Sequence, residues 1–363
     1  YLPIEKSNVT LIGIGNVVLT SSDITPNGAW AHQNFITIFG NNVTLDNFTI
    51  QPKMDGNKAI EICGTNSALK NINVECNQIL SHEDYLKQLP AGATDWWEWF
   101  HSLITGNIYY NGDIGNAVME NVVIEKGGIS TSSVTSGTVD VSNVTIDVQG
   151  WGYAPYASLP VSNNAQEVLA NVDGLTIKVD STLTTDIDNA EVITHRLGDL
   201  VSIVPQGTDI ALAEGTYAFE NGLDICNSVN ITGEGEDTVL QMGKTALSGQ
   251  AYAYISANNV SISNLTFEGT AAGYDLLKVS YRGSEAGTAI DTISLSEVTF
   301  TGKANTYLNI HGATNVTVSS CTIGTQSSNE VEIPFSVASS QTVVVSGTSI
   351  SAGAWGSAGG MYA

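Results

Sequence analysis

Basic residues, cysteines and long apolar runs are all scarce in this sequence. Its 363 residues include 12 Lys and Arg against 36 Asp and Glu, which gives a formal net charge of −24. A surface of this sign repels nucleic acids and anionic membranes, so we expect neither as a partner. No apolar run reaches the about 18 residues that a transmembrane helix needs, so we expect no membrane insertion.

The four cysteines show no pattern of a metal or redox site; they are Cys63, Cys76, Cys226 and Cys321. No C-x-x-C pair occurs, and the spacings are not those of zinc ligands. We therefore expect small, buried apolar side chains at these positions. Loops rich in Asp and Glu suit Ca²⁺, which stays open as an unplaced ligand, but no EF-hand loop or glycine-rich nonapeptide array occurs, so we predict no cofactor and no particular metal site.

The sequence does contain an eight-residue motif that recurs along its length. Each copy has apolar residues two apart, then a one-residue interruption, then a second short apolar-alternating stretch, which predicts two short strands. The copies are "VTLDNFTI" (43–50), "SALKNINV" (67–74), "AVMENVVI" (117–124), "VDVSNVTI" (139–146), "ANVDGLTI" (170–177), "VSISNLTF" (260–267), "ISLSEVTF" (293–300), "VTVSSCTI" (316–323) and "VVVSGTSI" (343–350).

The interrupting position holds Asn or Gly in most copies, and these residues tolerate a left-handed backbone conformation. The positions are Asn47, Asn71, Asn121, Asn143, Gly174, Asn264 and Gly347, with Glu297 and Ser320 as exceptions. We predict a sharp bend at each, and a ladder in which the amides of the first four Asn residues hydrogen-bond one another. With long gaps set aside, the period is about 22–33 residues, which is typical of solenoids. The sequence thus predicts an all-β protein of stacked coils.

The two halves of the chain are also similar on a larger scale. The stretch 2–19 matches 223–240, with Gly13 and Gly15 aligned on Gly233 and Gly235. This predicts a tandem duplication, with a first unit at 1–185 and a second at 186–363. The boundary is placed near Asp186, where the coil pattern stops. We expect a short helix there that caps the open end of the second unit, because exposed strand edges invite pairing with other chains.

The segments "TDIALAEGTYAF", "LDI" and "VNITGEGEDTVLQMG" in 208–243 resemble the opening coils of right-handed parallel β-helix proteins of the pectate-lyase-like superfamily. The resemblance covers most of the chain twice and implies a right-handed parallel β-helix in each half. That superfamily includes polysaccharide lyases, hydrolases, esterases, adhesins and non-catalytic surface proteins, so the resemblance specifies the fold more closely than the activity.

The motifs of several of these activities are missing. No Asp-Asp pair occurs, although hydrolases of the superfamily typically carry one, and the pectate-lyase and pectin-esterase signatures are absent. A lyase acting on a uronic acid needs a base and a positive partner for the carboxylate. Lys278, Arg282 and His311 are candidates for these catalytic roles. Strand alternation with Val279 and Tyr281 inward predicts that they share one outer face, with His311 stacked on Arg282. The alternative is that they are ordinary solvated basic side chains.

An aromatic insertion is predicted at 77–112, between two copies of the repeat. It contains sequence signals for short helices and the cluster Trp96, Trp97 and Trp99. Trp151 and Tyr153 form a second aromatic loop. These rings are candidates for stacking on sugars, and the alternative is that they anchor the insertion to the coils.

Three functions remain open. The first is a bacterial, secreted or cell-surface β-helix module, non-catalytic and adhesin-like, that contacts glycans or other surface components. The second is a polysaccharide lyase acting on uronic-acid-containing glycans, which the sequence favours over a hydrolase. The third is a structural spacer in a larger surface protein. The chain begins inside a repeated pattern, so we expect a signal peptide to be removed or to lie outside this sequence.

Overall fold

The computed structural model describes residues 1–20, 34–52, 58–75, 108–149, 159–181, 196–219, 221–281, 289–324, 333–351 and 361–362. The chain forms two compact units, one of residues 1–178 with 203–208 and one of residues 179–202 with 209–363. The described residues are mainly β-strand, with two short helices, α1 (Ala165–Val168) and α2 (Arg196–Ile203). The all-β class is therefore confirmed. The boundary predicted near Asp186 lies outside the described residues.

The first ten strands are paired in parallel, each with its counterpart one repeat further along the chain. Two rows result, one through β1, β4, β6, β8 and β9, and one through β2 and β3 to β5, β7, β8, β9 and β10. The strands are β1 (Leu2–Ile4), β2 (Thr10–Ile12), β3 (Val18–Thr20), β4 (Ile36–Ile38), β5 (Thr44–Gln51), β6 (Ile60–Ile62), β7 (Ala68–Val74), β8 (Ile108–Glu125), β9 (Ile129–Asp147) and β10 (Leu169–Val179).

The later strands are also paired in parallel with counterparts further along the chain. One parallel sheet has six strands, β13, β16, β18, β20, β23 and β26. From β11 onward the strands are β11 (Thr208–Leu212), β12 (Gly215–Phe219), β13 (Leu223–Ile225), β14 (Val229–Gly233), β15 (Thr238–Met242), β16 (Ala251–Ile255), β17 (Val260–Thr270), β18 (Asp275–Val279), β19 (Ile293–Lys303), β20 (Thr306–His311), β21 (Asn315–Ser319), β22 (Thr322–Ile323), β23 (Ile333–Ala338), β24 (Thr342–Ser346), β25 (Ser349–Ile350) and β26 (Met361–Tyr362). Long parallel sheets of this kind are compatible with the predicted parallel β-helix.

The core is built from columns of equivalent apolar side chains in successive strands. Ile36, Ile60 and Ile108 are aligned in register on β4, β6 and β8, and all three are fully buried. In the second unit the rings of Phe267 and Phe300 stack at 5.5 Å with 7° between their planes. Alternate residues of each strand face this core, so the residues between them face outward.

All nine interrupting positions have a left-handed backbone, with φ between 49° and 70°. Glu297 and Ser320 adopt it as well, with φ of 57° and 54°. In β5 and β7 the register pairs Asp46 with Lys70 and Phe48 with Ile72. The interrupting residues of these two strands therefore lie between two paired segments. The bend thus belongs to the coil geometry, and Asn or Gly lowers its cost.

The side chains at the bend form a ladder over three coils. Asn143 Nδ2 donates to Asn121 Oδ1 at 2.8 Å, and Asn121 Nδ2 donates to Asn71 Oδ1 at 3.0 Å. Asn71 then donates to Asp46 Oδ1 at 2.7 Å rather than to Asn47. The Asn47 amide donates instead to the carbonyl oxygen of Gly13 at 2.7 Å.

A second asparagine ladder lies at the corner before β2, β5 and β7, and the sequence analysis missed it. Asn42 Nδ2 donates to Asn8 Oδ1 at 2.9 Å, and Asn66 Nδ2 donates to Asn42 Oδ1 at 3.2 Å. All three residues also have a positive φ. The sequence contained a pattern that indicates this corner, because the pair Asn41 and Asn42 of the first half recurs as Asn258 and Asn259 in the second.

Several local predictions can be compared with the structure. Residues 77–107 of the predicted insertion lie outside the described residues, and residues 108–112 belong to β8, so the insertion stays a prediction. Cys321 is buried and Cys63 half-buried, but Cys226 is exposed, against expectation, and Cys76 lies outside the described residues. Helix α2 precedes β11 and buries Leu197, Leu200 and Val201.

Candidate functional site

Only two of the predicted ligand or catalytic residues, Lys278 and His311, lie in the described part of the chain. Arg282 and the aromatic residues lie outside it, the latter being Trp96, Trp97, Trp99, Trp151 and Tyr153. The roles of these residues therefore stay predictions.

The register of β18 and β20 differs from the predicted one. Lys278 is aligned with Asn309, and Val279 with Ile310. The continuation of this register aligns His311 with Ser280 and not with Arg282. The prediction that Tyr281 faces inward is also wrong, because β18 ends at Val279 and Tyr281 is 39% exposed.

Lys278 belongs to a row of polar side chains on the outer face of the six-stranded sheet, which we call the polar row. One member comes from each of five successive strands, and the register of these strands aligns them directly. Their neighbours Leu277 and Val279 are fully buried, so the alternation turns Lys278 outward. Adjacent strands place successive members about 4.8 Å apart. The members are Asp224, Tyr254, Lys278, Asn309 and Ser336.

Hydrogen bonds orient most of the polar row. Lys278 Nζ donates to Gln250 Oε1 at 2.6 Å, and the Tyr254 hydroxyl donates to the same oxygen at 3.4 Å. Asn309 Nδ2 donates to a carboxylate oxygen of Asp275 at 2.7 Å. Tyr254 is buried at 3% exposure, so the row presents an ammonium, an amide, a hydroxyl and carboxylates, which are groups that hydrogen-bond sugar hydroxyls.

Two exposed tyrosines lie at the two ends of the strand that carries Lys278. Tyr274 precedes β18 and Tyr281 follows it, and each is 39% exposed. The ring of Tyr274 is held edge-on against Tyr252, with centroids 5.6 Å apart. Tyr252 is buried, and this burial raises the pKa of its hydroxyl. A fixed, exposed aromatic ring beside hydrogen-bonding groups is a surface on which a sugar ring can stack.

The first unit holds a different polar group, which we call the Glu61 cluster and which consists of Asn34, Lys58, Glu61, Tyr109 and Asn111. Among the described residues, Glu61 is the one charged residue that is buried, at 9% exposure. It lies on the outer face of β6, aligned with Thr37 on β4 and Tyr109 on β8. A buried carboxylate is costly unless it is paired and hydrogen-bonded.

Glu61 has three such partners. Lys58 Nζ lies 3.0 Å from Glu61 Oε1, and Asn111 Nδ2 donates to the same oxygen at 3.4 Å. Asn34 Nδ2 donates to the other oxygen, Oε2. The ammonium of Lys58 also lies 3.5 Å from the centre of the Tyr109 ring, within reach of a cation–π interaction.

The thiol of Cys63 adjoins this cluster. Burial is the main cause that raises its pKa, and the negative charge of Glu61 raises it further. Sequence reasoning missed the whole cluster. The signal was Glu61 itself, a single charge between isoleucines in "AIEIC", with Lys58 three residues before it.

Within the described ranges, no group of three or more His, Cys, Asp or Glu side chains is arranged to hold a metal ion. None of the helices described here is long and apolar enough to cross a membrane. No protein-family model matches the sequence, and no curated protein matches it significantly.

Proposed function

We propose that this chain is a non-catalytic parallel β-helix module that contacts glycans through the polar row and its flanking tyrosines, Tyr274 and Tyr281. The observation that carries the proposal is the alignment of five polar side chains on successive strands beside exposed rings, with all but the buried Tyr254 partly exposed. A glycan chain along this face would meet a partly exposed hydrogen-bonding group on four of the five strands. The strongly acidic composition fits an extracellular or cell-surface location, which forms part of the proposal.

The proposed fold is a right-handed β-helix of the pectate-lyase-like type, duplicated in tandem. Parallel pairing and left-handed bends at the same position of each coil support it. A contact common to both halves supports the duplication. Asn47 donates to the carbonyl oxygen of Gly13 at 2.7 Å, and Asn264 donates to that of Gly233 at 3.0 Å.

A non-catalytic role is favoured over a lyase by the surroundings of Lys278. Its ammonium group donates to the neutral amide of Gln250, and the polar residue aligned beside it is Asn309 rather than a second cation. A uronic-acid lyase needs a base and a separate positive charge or metal ion at the substrate carboxylate. Lyase activity on uronic-acid polysaccharides is therefore kept as the alternative, and the experiments below distinguish it from glycan binding.

The test is a glycan array probed with the wild-type protein and with Lys278→Ala, Asn309→Ala and Tyr274→Ala. We expect each variant to bind its glycan about tenfold more weakly, which corresponds to about 1.4 kcal/mol. Lys244→Ala is the matched control, because Lys244 is an exposed lysine of the same unit outside the polar row. Its binding should be unchanged.

Two results would overturn the proposal. One is a wild-type protein that binds no glycan on the array, which would favour the spacer. The other is release of unsaturated sugar, seen by ultraviolet absorbance, when the protein is incubated with uronic-acid polysaccharides and lost in Lys278→Ala. That result would replace the non-catalytic function with a lyase.

A further inference from the structure

We propose that Lys58 and Asn34 become joined by an intramolecular isopeptide bond, with Glu61 as the proton-transferring group. The bond would link Lys58 Nζ to Asn34 Cγ and release ammonia. It would be a covalent modification site in the first unit, separate from the proposed glycan-contacting face of the second.

The backbone brings the two reacting residues together. β4 and β6 are paired with Ile36 aligned on Ile60, and the amide of Phe35 donates to the carbonyl oxygen of Lys58 at 2.9 Å. Continuation of the register places Asn34 directly opposite Lys58, in the two segments that lead into β4 and β6. Side chains at such directly opposite positions are within reach of each other.

The carboxylate of Glu61 bridges the reacting groups. One of its oxygens lies 3.0 Å from Lys58 Nζ, and the other accepts a hydrogen bond from the Asn34 amide. A carboxylate in this position can take a proton from the amine and pass a proton to the departing nitrogen. Groups held together in this way react with a high effective concentration.

The reacting groups are partly shielded from water, with the Lys58 side chain 30% exposed. Glu61 is 9% exposed, Thr37 beside it is buried, and the face of the Tyr109 ring covers Lys58 Nζ at 3.5 Å. The neutral amine carries the lone pair that attacks a carboxamide.

The bonds and charges of the step balance without an oxidant or a cofactor. Glu61 takes a proton from the Lys58 ammonium, and the amine lone pair forms a bond to Asn34 Cγ. The tetrahedral intermediate collapses when the bond from Cγ to Asn34 Nδ2 breaks. Glu61 gives its first proton to Nδ2, which leaves as ammonia, and takes the second proton from the attacking Nζ. The ammonia then takes this second proton from Glu61 and departs as ammonium, so the amide is formed and Glu61 is again a carboxylate.

Asn111 is the competing carboxamide of the cluster. Its Nδ2 lies 3.4 Å from the same Glu61 oxygen that binds Lys58, so it competes with the amine for that oxygen. Asn34 uses the opposite oxygen, which leaves the carboxylate between amine and amide. The geometry therefore assigns the bond to Asn34.

The experiment is intact-mass spectrometry of the full chain under denaturing conditions, followed by peptide mapping. We expect the wild-type mass to be lower than the sequence mass by one ammonia, with the peptide containing Asn34 joined to the peptide containing Lys58. Lys58→Arg keeps the positive charge but removes the nucleophile, so it should show the full mass of its own sequence. Glu61→Gln keeps the shape but removes the proton-transferring group, and it should also show full mass.

Two control variants should keep the mass loss. Asn111→Ala removes the competing carboxamide, and Lys70→Ala removes the lysine of the Lys70–Glu120 ion pair, which lies outside the cluster. Wild-type protein at full mass with two separate peptides would overturn the proposal. So would a joined peptide that contains Asn111. Ammonia loss that persists in Lys58→Arg would also overturn it, since this would indicate succinimide formation at an Asn–Gly pair such as Asn111–Gly112.

Discussion

Tyr110 shows how one buried hydroxyl affects the first unit. Its side chain points into the core from β8 and is fully buried, and its hydroxyl has no hydrogen-bond partner within the described structure. The hydroxyl of Tyr217 is also buried but donates to the carbonyl oxygen of Ala213 at 3.0 Å. Burial raises the pKa of both groups above the usual value of 10.0. A buried polar group without a partner lowers stability.

We expect Tyr110→Phe to raise the free energy of unfolding by about 1 kcal/mol, because it removes an unpaired polar atom. Tyr217→Phe should lower it by a similar amount, because a hydrogen bond is lost. Urea denaturation at neutral pH measures both changes. The same change in the free energy of unfolding for both substitutions would contradict the conclusion that the Tyr110 hydroxyl is unpaired and the Tyr217 hydroxyl is hydrogen-bonded.

The contribution of Tyr110 to the stability of the fold depends on pH, and its sign follows from the raised pKa. Above pH 10 the unfolded chain loses the Tyr110 proton while the folded chain keeps it, so the wild type loses stability as the pH rises. Tyr110→Phe should lose less between neutral pH and a pH above 10. An identical decline in the two proteins would show that Tyr110 makes no contribution to it.

At the scale of the structural element, the asparagine ladder joins successive coils. Asn121 combines two roles, since its φ is 54° and its side chain donates to Asn71 and accepts from Asn143. Glycine could replace it without backbone strain but would lose both hydrogen bonds. Alanine would lose the hydrogen bonds and also pay for a left-handed backbone.

We therefore expect Asn121→Gly to lower the free energy of unfolding by about 1–2 kcal/mol and Asn121→Ala by about 2–4 kcal/mol. Urea denaturation of the three proteins at one pH compares them. If both variants were equally stable, the backbone conformation would not limit stability at this position. If the glycine variant matched the wild type, the ladder hydrogen bonds would contribute nothing.

The whole molecule carries a net charge of −24. Repulsion among its acidic residues therefore opposes the attraction within its local ion pairs. The described residues include three ion pairs, Lys58–Glu61, Lys70–Glu120 and Lys178–Asp147. Salt weakens both the attraction within these pairs and the repulsion among the many acidic residues. Because the acidic residues outnumber the basic ones three to one, repulsion should be the larger effect.

We expect the unfolding temperature to rise by several degrees between about 0.01 M and about 0.15 M NaCl, where the screening length falls from about 30 Å to about 8 Å. Differential scanning calorimetry at constant pH provides the measurement. A fall in the unfolding temperature would mean that the ion pairs outweigh the overall repulsion.

The bends and the core columns could be derived from the residues because they depend on local properties. An apolar residue at every second position selects a strand face, and Asn or Gly at the interruption selects a left-handed corner. The alignment between coils was less accessible, because it depends on the lengths of the loops between strands. The alignment of His311 with Arg282 failed for this reason, as did the expectation that Asn71 would hydrogen-bond Asn47.

The sequence by itself thus determined the all-β class, the repeat and the positions of the bends, since each follows from the preferences of single residues and their nearest neighbours. Only the tertiary structure decided which side chains meet across coils. It placed Lys278 beside Asn309, and it brought Asn34 and Lys58 to the buried carboxylate of Glu61. The physical reason is that parallel strands one repeat apart are set side by side by register, and register is a property of the folded stack rather than of any one segment.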